Sequence, residues 1–189
     1  MKIFTGFPKL ASLDFSESTG ITDEAMETFA LMPELQSLTL YNVPMTARGF
    51  SFLRQAKDIR TLGIGSDKLD DSCLEELVRM ETLEMLVLNN ALNITNEGLT
   101  KLASLPKLVS LIITDCPKIT DGGLPRIARF DSLGYLRIKG EQYTDKALIY
   151  LKDHGKLNQL DIVGKTQITR KALRKFEKEM PHCKVTLAK

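Results

Sequence analysis

The chain has 189 residues, of which 43% are hydrophobic and 26% charged, an ordinary balance for a protein exposed to water. Its formal charge of +2, from 26 basic and 24 acidic residues, gives no reason to expect nucleic acid, whose binders normally carry a clustered excess of Lys and Arg. No apolar run reaches about 18 residues, which gives no membrane span, and residues 1–7 lack the apolar core of a signal peptide.

In chain order, residues 1–9 begin in the middle of a unit. Phe4 and Phe7 stand six and three residues before Leu10, as Phe29 and Met32 stand before Leu35, and Met1 falls in the column of Met26. They are expected to be the tail of an upstream repeat, so that the chain is part of something longer with an open N-terminal edge. From Leu10 onward one unit recurs over 10–34, 35–58, 59–82, 83–107, 108–132, 133–156 and 157–181, with 182–189 as a terminal strand, all in a single domain. A fixed period in this range marks a solenoid, in which each unit packs on its neighbours.

Each unit opens with L-x-x-L-x-L. The middle residues are Leu13, Leu38, Leu62, Leu86, Leu111, Leu136, Leu160 and Val185. Two residues later stand Phe15, Leu40, Ile64, Leu88, Ile113, Ile138, Ile162 and Leu187. That two-residue alternation predicts a strand with one buried face. A cap then recurs as Thr22, Thr46, Asp70, Thr95, Thr120, Thr144 and Thr169, because a side-chain oxygen there can accept from an unpaired helix N–H. Asp23, Asp71, Asp121 and Asp145 follow at the positive end of the helix dipole. Apolar residues three apart, such as Leu124 and Ile127, share one helix face. The small column Ala25, Gly49, Cys73, Gly98, Gly123, Ala147 and Ala172 predicts close contact between units. Pro125 is expected to shorten the fifth helix, since it lacks an N–H.

Strand, turn and L-x-x-L-x-L followed by I-T-D-x-x-L-x-x-L together resemble the leucine-rich repeat over essentially the whole chain. The stretch from Ile168 to Val185 is similar to the end of short bacterial leucine-rich repeat arrays. The Ile119-Thr120-Asp121 turn is also similar to the cysteine-containing repeats of F-box adaptor proteins. Where those place Asn or Cys, this chain has Ser18, Val43, Asp67, Ala91, Cys116, Glu141 and Lys165, which argues against a buried polar ladder. The resemblance implies an α/β fold, a right-handed horseshoe with a concave parallel sheet and convex helices. The alternation of strand and helix signals argues for parallel β-α units independently.

Chemistry-bearing residues are sparse. Gly63-Ile64-Gly65 lacks the glycine spacing of a phosphate loop and fits a strand. Asp70, Asp71, Glu75 and Glu76 fit a cap and solvated helix turns. His154 occupies the column of Met32, Met80, Leu105 and Phe130, which predicts a partly buried spacer. No nucleophile, base and orienting group converge, so no enzyme activity, cofactor or metal is expected. Cys73, Cys116 and Cys183 are an odd, widely spaced set that fits neither a disulfide framework nor a zinc site; a reducing compartment, the cytoplasm, is the expectation. The basic run Arg170, Lys171, Arg174, Lys175 and Lys178 is read as a charged outer face, or else as a contact for an acidic partner or membrane surface.

In the resemblance, the alternate strand residues face the concave side. Met85, Val87, Val109, Ile112 and Tyr135 are then expected to form one patch, bordered by Arg137 and Lys139 on one side and Asn89 and Asn90 on the other. An apolar centre with Tyr and Arg at its edge is the composition of a binding hot spot. The expected function is a non-catalytic scaffold binding a protein or peptide on the concave face. The alternatives are a self-associating structural spacer or an adaptor recruiting substrates to a modifying enzyme.

Overall fold

A computed structural model describes residues 9–188. Strands and helices alternate as β1 (Ser12–Asp14), α1 (Asp23–Ala30), β2 (Ser37–Tyr41), α2 (Ala47–Leu53), β3 (Thr61–Gly65), α3 (Asp71–Leu77), β4 (Met85–Asn89) and α4 (Asn96–Leu102). They continue as β5 (Ser110–Thr114), α5 (Leu124–Ile127), β6 (Tyr135–Lys139), α6 (Asp145–Leu151), β7 (Gln159–Val163), α7 (Arg170–Glu179) and β8 (Lys184–Ala188). The strands form one parallel sheet in the order β1-β2-β3-β4-β5-β6-β7-β8. Residues 1–8, with Phe4 and Phe7 of the expected upstream tail, lie outside the described residues.

The leucine column of the sequence is the register of the sheet. Leu13, Leu38, Leu62, Leu86, Leu111, Leu136, Leu160 and Val185 stand opposite one another across successive strands. A one-residue slip would turn every one of them to solvent, which is why the pairing is specified so firmly. Their inward faces meet the helix residues Phe29, Leu53, Leu77, Leu102, Ile127 and Leu151, all with no exposed surface. Each such side chain contributes roughly 1.5–3 kcal/mol by burial. The core is therefore one continuous layer between sheet and helices.

Six of the seven expected caps form. The side chains of Thr46, Asp70, Thr95, Thr120, Thr144 and Thr169 accept from a backbone N–H two or three residues on. Thr22 departs from the pattern: its hydroxyl donates instead to Glu24 Oε2 at 2.7 Å and caps nothing.

The acids after the caps do more than complement the helix dipole. Asp23 accepts from the backbone N–H and the hydroxyl of Thr46 in the next unit, at 3.0 and 2.6 Å. Asp71 holds Thr95 in the same way, Asp121 holds Thr144, and Asp145 holds Thr169. Asn96 replaces the acid before Thr120, accepting from its N–H and donating to its hydroxyl. This ladder crowds the glycines of the small column. A Cβ at Gly98 would lie 2.3 Å from Asp71 Oδ1, and one at Gly123 would lie 2.7 Å from Asn96 Oδ1.

Pro125 has the expected effect. Residues Asp121–Gly123 form a 3-10 turn and only four residues of α-helix follow, where α4 and α6 each have seven. His154 is more than a spacer: it is buried, and its Nδ1 accepts from the backbone N–H of Leu157 at 3.2 Å, fixing the turn after α6.

Candidate functional site on the concave sheet

The sheet face away from the helices carries every second strand residue. Three of its central strands bring together most of the expected patch. Met85 and Val87 lie on β4, Ile112 on β5, and Tyr135, Arg137 and Lys139 on β6. Val87, Ile112 and Arg137 form one row across the strands; Met85 and Tyr135 share the row below, with Ser110 between them. Rows of this kind are spaced by about 4.8 Å per strand. All six are half-buried, as side chains lying in a curved sheet surface should be.

Val109 is placed differently. It precedes β5, and its carbonyl accepts from the N–H groups of Gly134 and Tyr135 at 2.9 and 3.0 Å. With 46% of its surface exposed, it stands where the chain enters the sheet and is outside the alternation that organises the others.

The polar border is largely neutralised from within. Arg137 Nη2 lies 3.1 Å from Asp161 Oδ2 on β7, and the same oxygen accepts from the Tyr135 hydroxyl at 2.7 Å. Gln159 Nε2 donates to Asp161 Oδ1 at 3.2 Å. Burial acts to raise the Asp161 carboxyl, but hydrogen bonds from Tyr135, Gln159, Arg137 and Thr186 outweigh it and hold the group below its ordinary range. Burial, followed by the bond to Asp161, raises the Tyr135 phenol. The Arg137 guanidinium also sits 6.0 Å from the centre of the Tyr135 ring. Lys139 Nζ is 2.8 Å from Asp115 Oδ2, and the Thr114 hydroxyl donates to Asn89 Oδ1 at 2.9 Å.

Asp161 is the residue that sequence reasoning missed, although the signal was present. It occupies the column of Arg137 one unit later, so opposite charges face each other across two strands. Gly63 also differs from expectation: it belongs to the outward column but is buried. The ring of Tyr41 covers it, and a Cβ there would lie 2.8 Å from the phenolic oxygen. The face therefore has three zones. Thr39, Tyr41 and Gly63 are followed by the apolar Met85, Val87 and Ile112, and then by the Tyr135–Arg137–Gln159–Asp161 cluster.

Among the described residues no cysteine lies on this face. Cys73, Cys116 and Cys183 are buried elsewhere, and burial pushes each thiol up to about 11, which suppresses thiolate formation. Among the described residues no helix is long and apolar enough to cross a membrane, and no group of His, Cys, Asp or Glu has the arrangement of a metal site.

No protein-family model matches the sequence, and no curated protein matches it. Solved structures do. Internalin C2 of Listeria monocytogenes str. 4b F2365 is similar at a TM-score of 0.67 and 21% identity, over 93% of this chain and 70% of that one. A chain of the Rad7 and Elc1 complex of yeast is similar at a TM-score of 0.55 and 16% identity, over 94% of this chain and 63% of that one. Sheet order, register and these two likenesses together identify the chain as a leucine-rich repeat solenoid.

Proposed function

We propose that the chain is a protein-interaction scaffold without catalytic chemistry of its own, and that it holds a protein or peptide partner on its concave face. The carrying observation is the apolar trio Met85, Val87 and Ile112, half-buried side by side on the sheet face that no helix of the described residues covers. Contiguous exposed apolar area is uncommon in water without a partner to cover it. One similar structure is that of a two-protein complex, Rad7 with Elc1, which supports a protein as the class of ligand.

The internal pairing of Arg137 with Asp161 refines the mode of binding. A partner gains little from Arg137 as a bare charge, because Asp161 already neutralises it. The cluster instead offers a rigid ring and guanidinium edge beside the apolar trio. Affinity then comes from apolar contact, and the polar cluster fixes orientation.

Selection of a displayed random-peptide library on the immobilised chain tests this. Enriched peptides are expected to share apolar anchors, and Ile112→Ser is expected to weaken them by about tenfold with little change in thermal midpoint. Equal binding to the Ile112→Ser chain, or enrichment that no concave-face substitution affects, would overturn the reading.

A further inference from the structure

We propose that the groove between α6 and α7, on the convex side, is a second docking surface whose occupant is an acidic amphipathic helix of a partner protein. It is separate from the concave face and does not rest on the reading above. The groove encloses about 390 Å³. Leu148 and Phe176 line it and are almost fully covered, while Ile149 lines it with 57% of its surface exposed.

Ile149 is out of place for a solvated helix. The corresponding residues in the other helices are Glu27, Ser51, Glu75, Thr100, Pro125 and Arg174, so an aliphatic side chain occupies this outward position in α6 alone. The groove itself is lined by Lys152 at the end of α6 and by Lys171 and Lys175 of α7, and Arg170, Arg174 and Lys178 extend the cationic surface over α7 beyond it. Lys175 reaches Glu179 at 3.7 Å and Lys152 reaches Asp153 at 3.5 Å, while Arg170, Lys171, Arg174 and Lys178 form no ion pair with any described residue. Two acids line the groove: Glu179 pairs with Lys175, and Asp145 is spent on the N–H and hydroxyl of Thr169.

Cations three and four residues apart repel one another on a helix, and the sequence tolerates this next to an apolar cleft. A ligand with apolar anchors flanked by carboxylates relieves both conditions together. The shape favours a helix: two adjacent helices leave a linear groove, and α7, with 10 residues, is about 15 Å long. A lipid surface fits less well, because Leu148 and Phe176 are recessed between the helices and Ile149 is the one large apolar side chain of the lining that is exposed.

The test uses the full chain and a fluorescent peptide of roughly four turns, with Leu at helical spacing and Glu on the flanking positions, read by anisotropy. Controls are a scrambled peptide of the same composition, polyglutamate, and phosphatidylserine/phosphatidylcholine vesicles. Saturable binding is expected, weakened by at least about tenfold on scrambling, on Ile149→Glu and on the double change Lys171→Glu/Lys175→Glu, and untouched by Ile112→Ser. Added salt is expected to weaken it further. Circular dichroism checks the fold of each variant, and Ile149→Ser replaces Ile149→Glu if the latter unfolds. Four results would overturn the proposal: no binding by the designed peptide, equal binding of scrambled peptide or polyglutamate, binding confined to vesicles, or indifference to every Ile149 substitution.

Discussion

At the scale of single residues, the repeat ladder explains an irregularity in the sequence. Asp70 is the only aspartate among the seven caps, and the position that would hold it from the preceding unit is Ala47 rather than an acid. Elsewhere that position is Asp or Asn and the cap is Thr. Two carboxylates there would face each other, so acid and threonine are lost together. Ala47→Asp is expected to lower stability by about 0.2–0.5 kcal/mol through like-charge contact. Adding Asp70→Thr should restore the ladder and raise stability by about 1 kcal/mol over the natural chain, a non-additive cycle readable by urea denaturation. Two buried titratable groups contribute to the acid side of the stability curve. Burial lowers the His154 imidazole, so the folded chain binds its proton less readily than the unfolded chain. That contribution is fully present above the unfolded value of 6.5 and is lost as pH falls through the lowered folded value. Asp161 behaves similarly in a lower window, below its ordinary 3.8. His154→Asn, whose side-chain oxygen can still accept from Leu157, is expected to flatten the dependence of the thermal midpoint on pH just below neutrality, and Asp161→Asn to flatten the more acidic part.

At the scale of elements, the caps differ in what they hold. The Thr95 hydroxyl accepts from Glu97 N–H at 3.1 Å and donates to Asp71 at 2.6 Å, tying its own helix and the preceding unit together. Thr22 does neither. Thr95→Ala is therefore expected to cost about 1–2 kcal/mol and Thr22→Ala only a few tenths, measured as shifts in the urea midpoint. The turn after each strand imposes a further local demand. Glu17, Asn42, Asn90 and Asp115 have φ between 55° and 63°, and Gly140 and Gly164 also have positive φ. Asn, Asp and Gly are the residues that tolerate this region at least cost, and Glu17 is the exception.

At the scale of the whole molecule, stability is a sum of unit and neighbour terms rather than the property of one closed core. Leu111 is fully buried between two flanking units, whereas Leu13 on β1 is only half-buried. Leu111→Ala is expected to cost about 2–5 kcal/mol and Leu13→Ala about 1 kcal/mol, with the second change loosening the first unit before the rest. Hydrogen exchange at the strand amides would show that gradient directly. The two faces of the solenoid are also chemically distinct. At its centre the concave side pairs its charges through Arg137–Asp161 and Lys139–Asp115, while four cations of α7 on the convex side form no ion pair with any described residue.

The periodicity by itself determines the architecture. A column spaced by 24 or 25 residues can be buried in every unit only if successive strands lie parallel and in register, and the helix caps follow from the same repeat. Pro125 was legible for the same local reason, the loss of an N–H. What the sequence left open were contacts between units, because they depend on which side chains the register makes neighbours. The carboxylate of Asp161 becomes a clamp for Tyr135 and Arg137 only once β6 and β7 are side by side. Val109 leaves the patch because the strand begins one residue after it, and Gly63 is covered because the Tyr41 ring swings across β3. Local pattern fixed the backbone, since burial periodicity acts residue by residue; the surface chemistry was decided by tertiary structure, since it arises between residues two dozen positions apart.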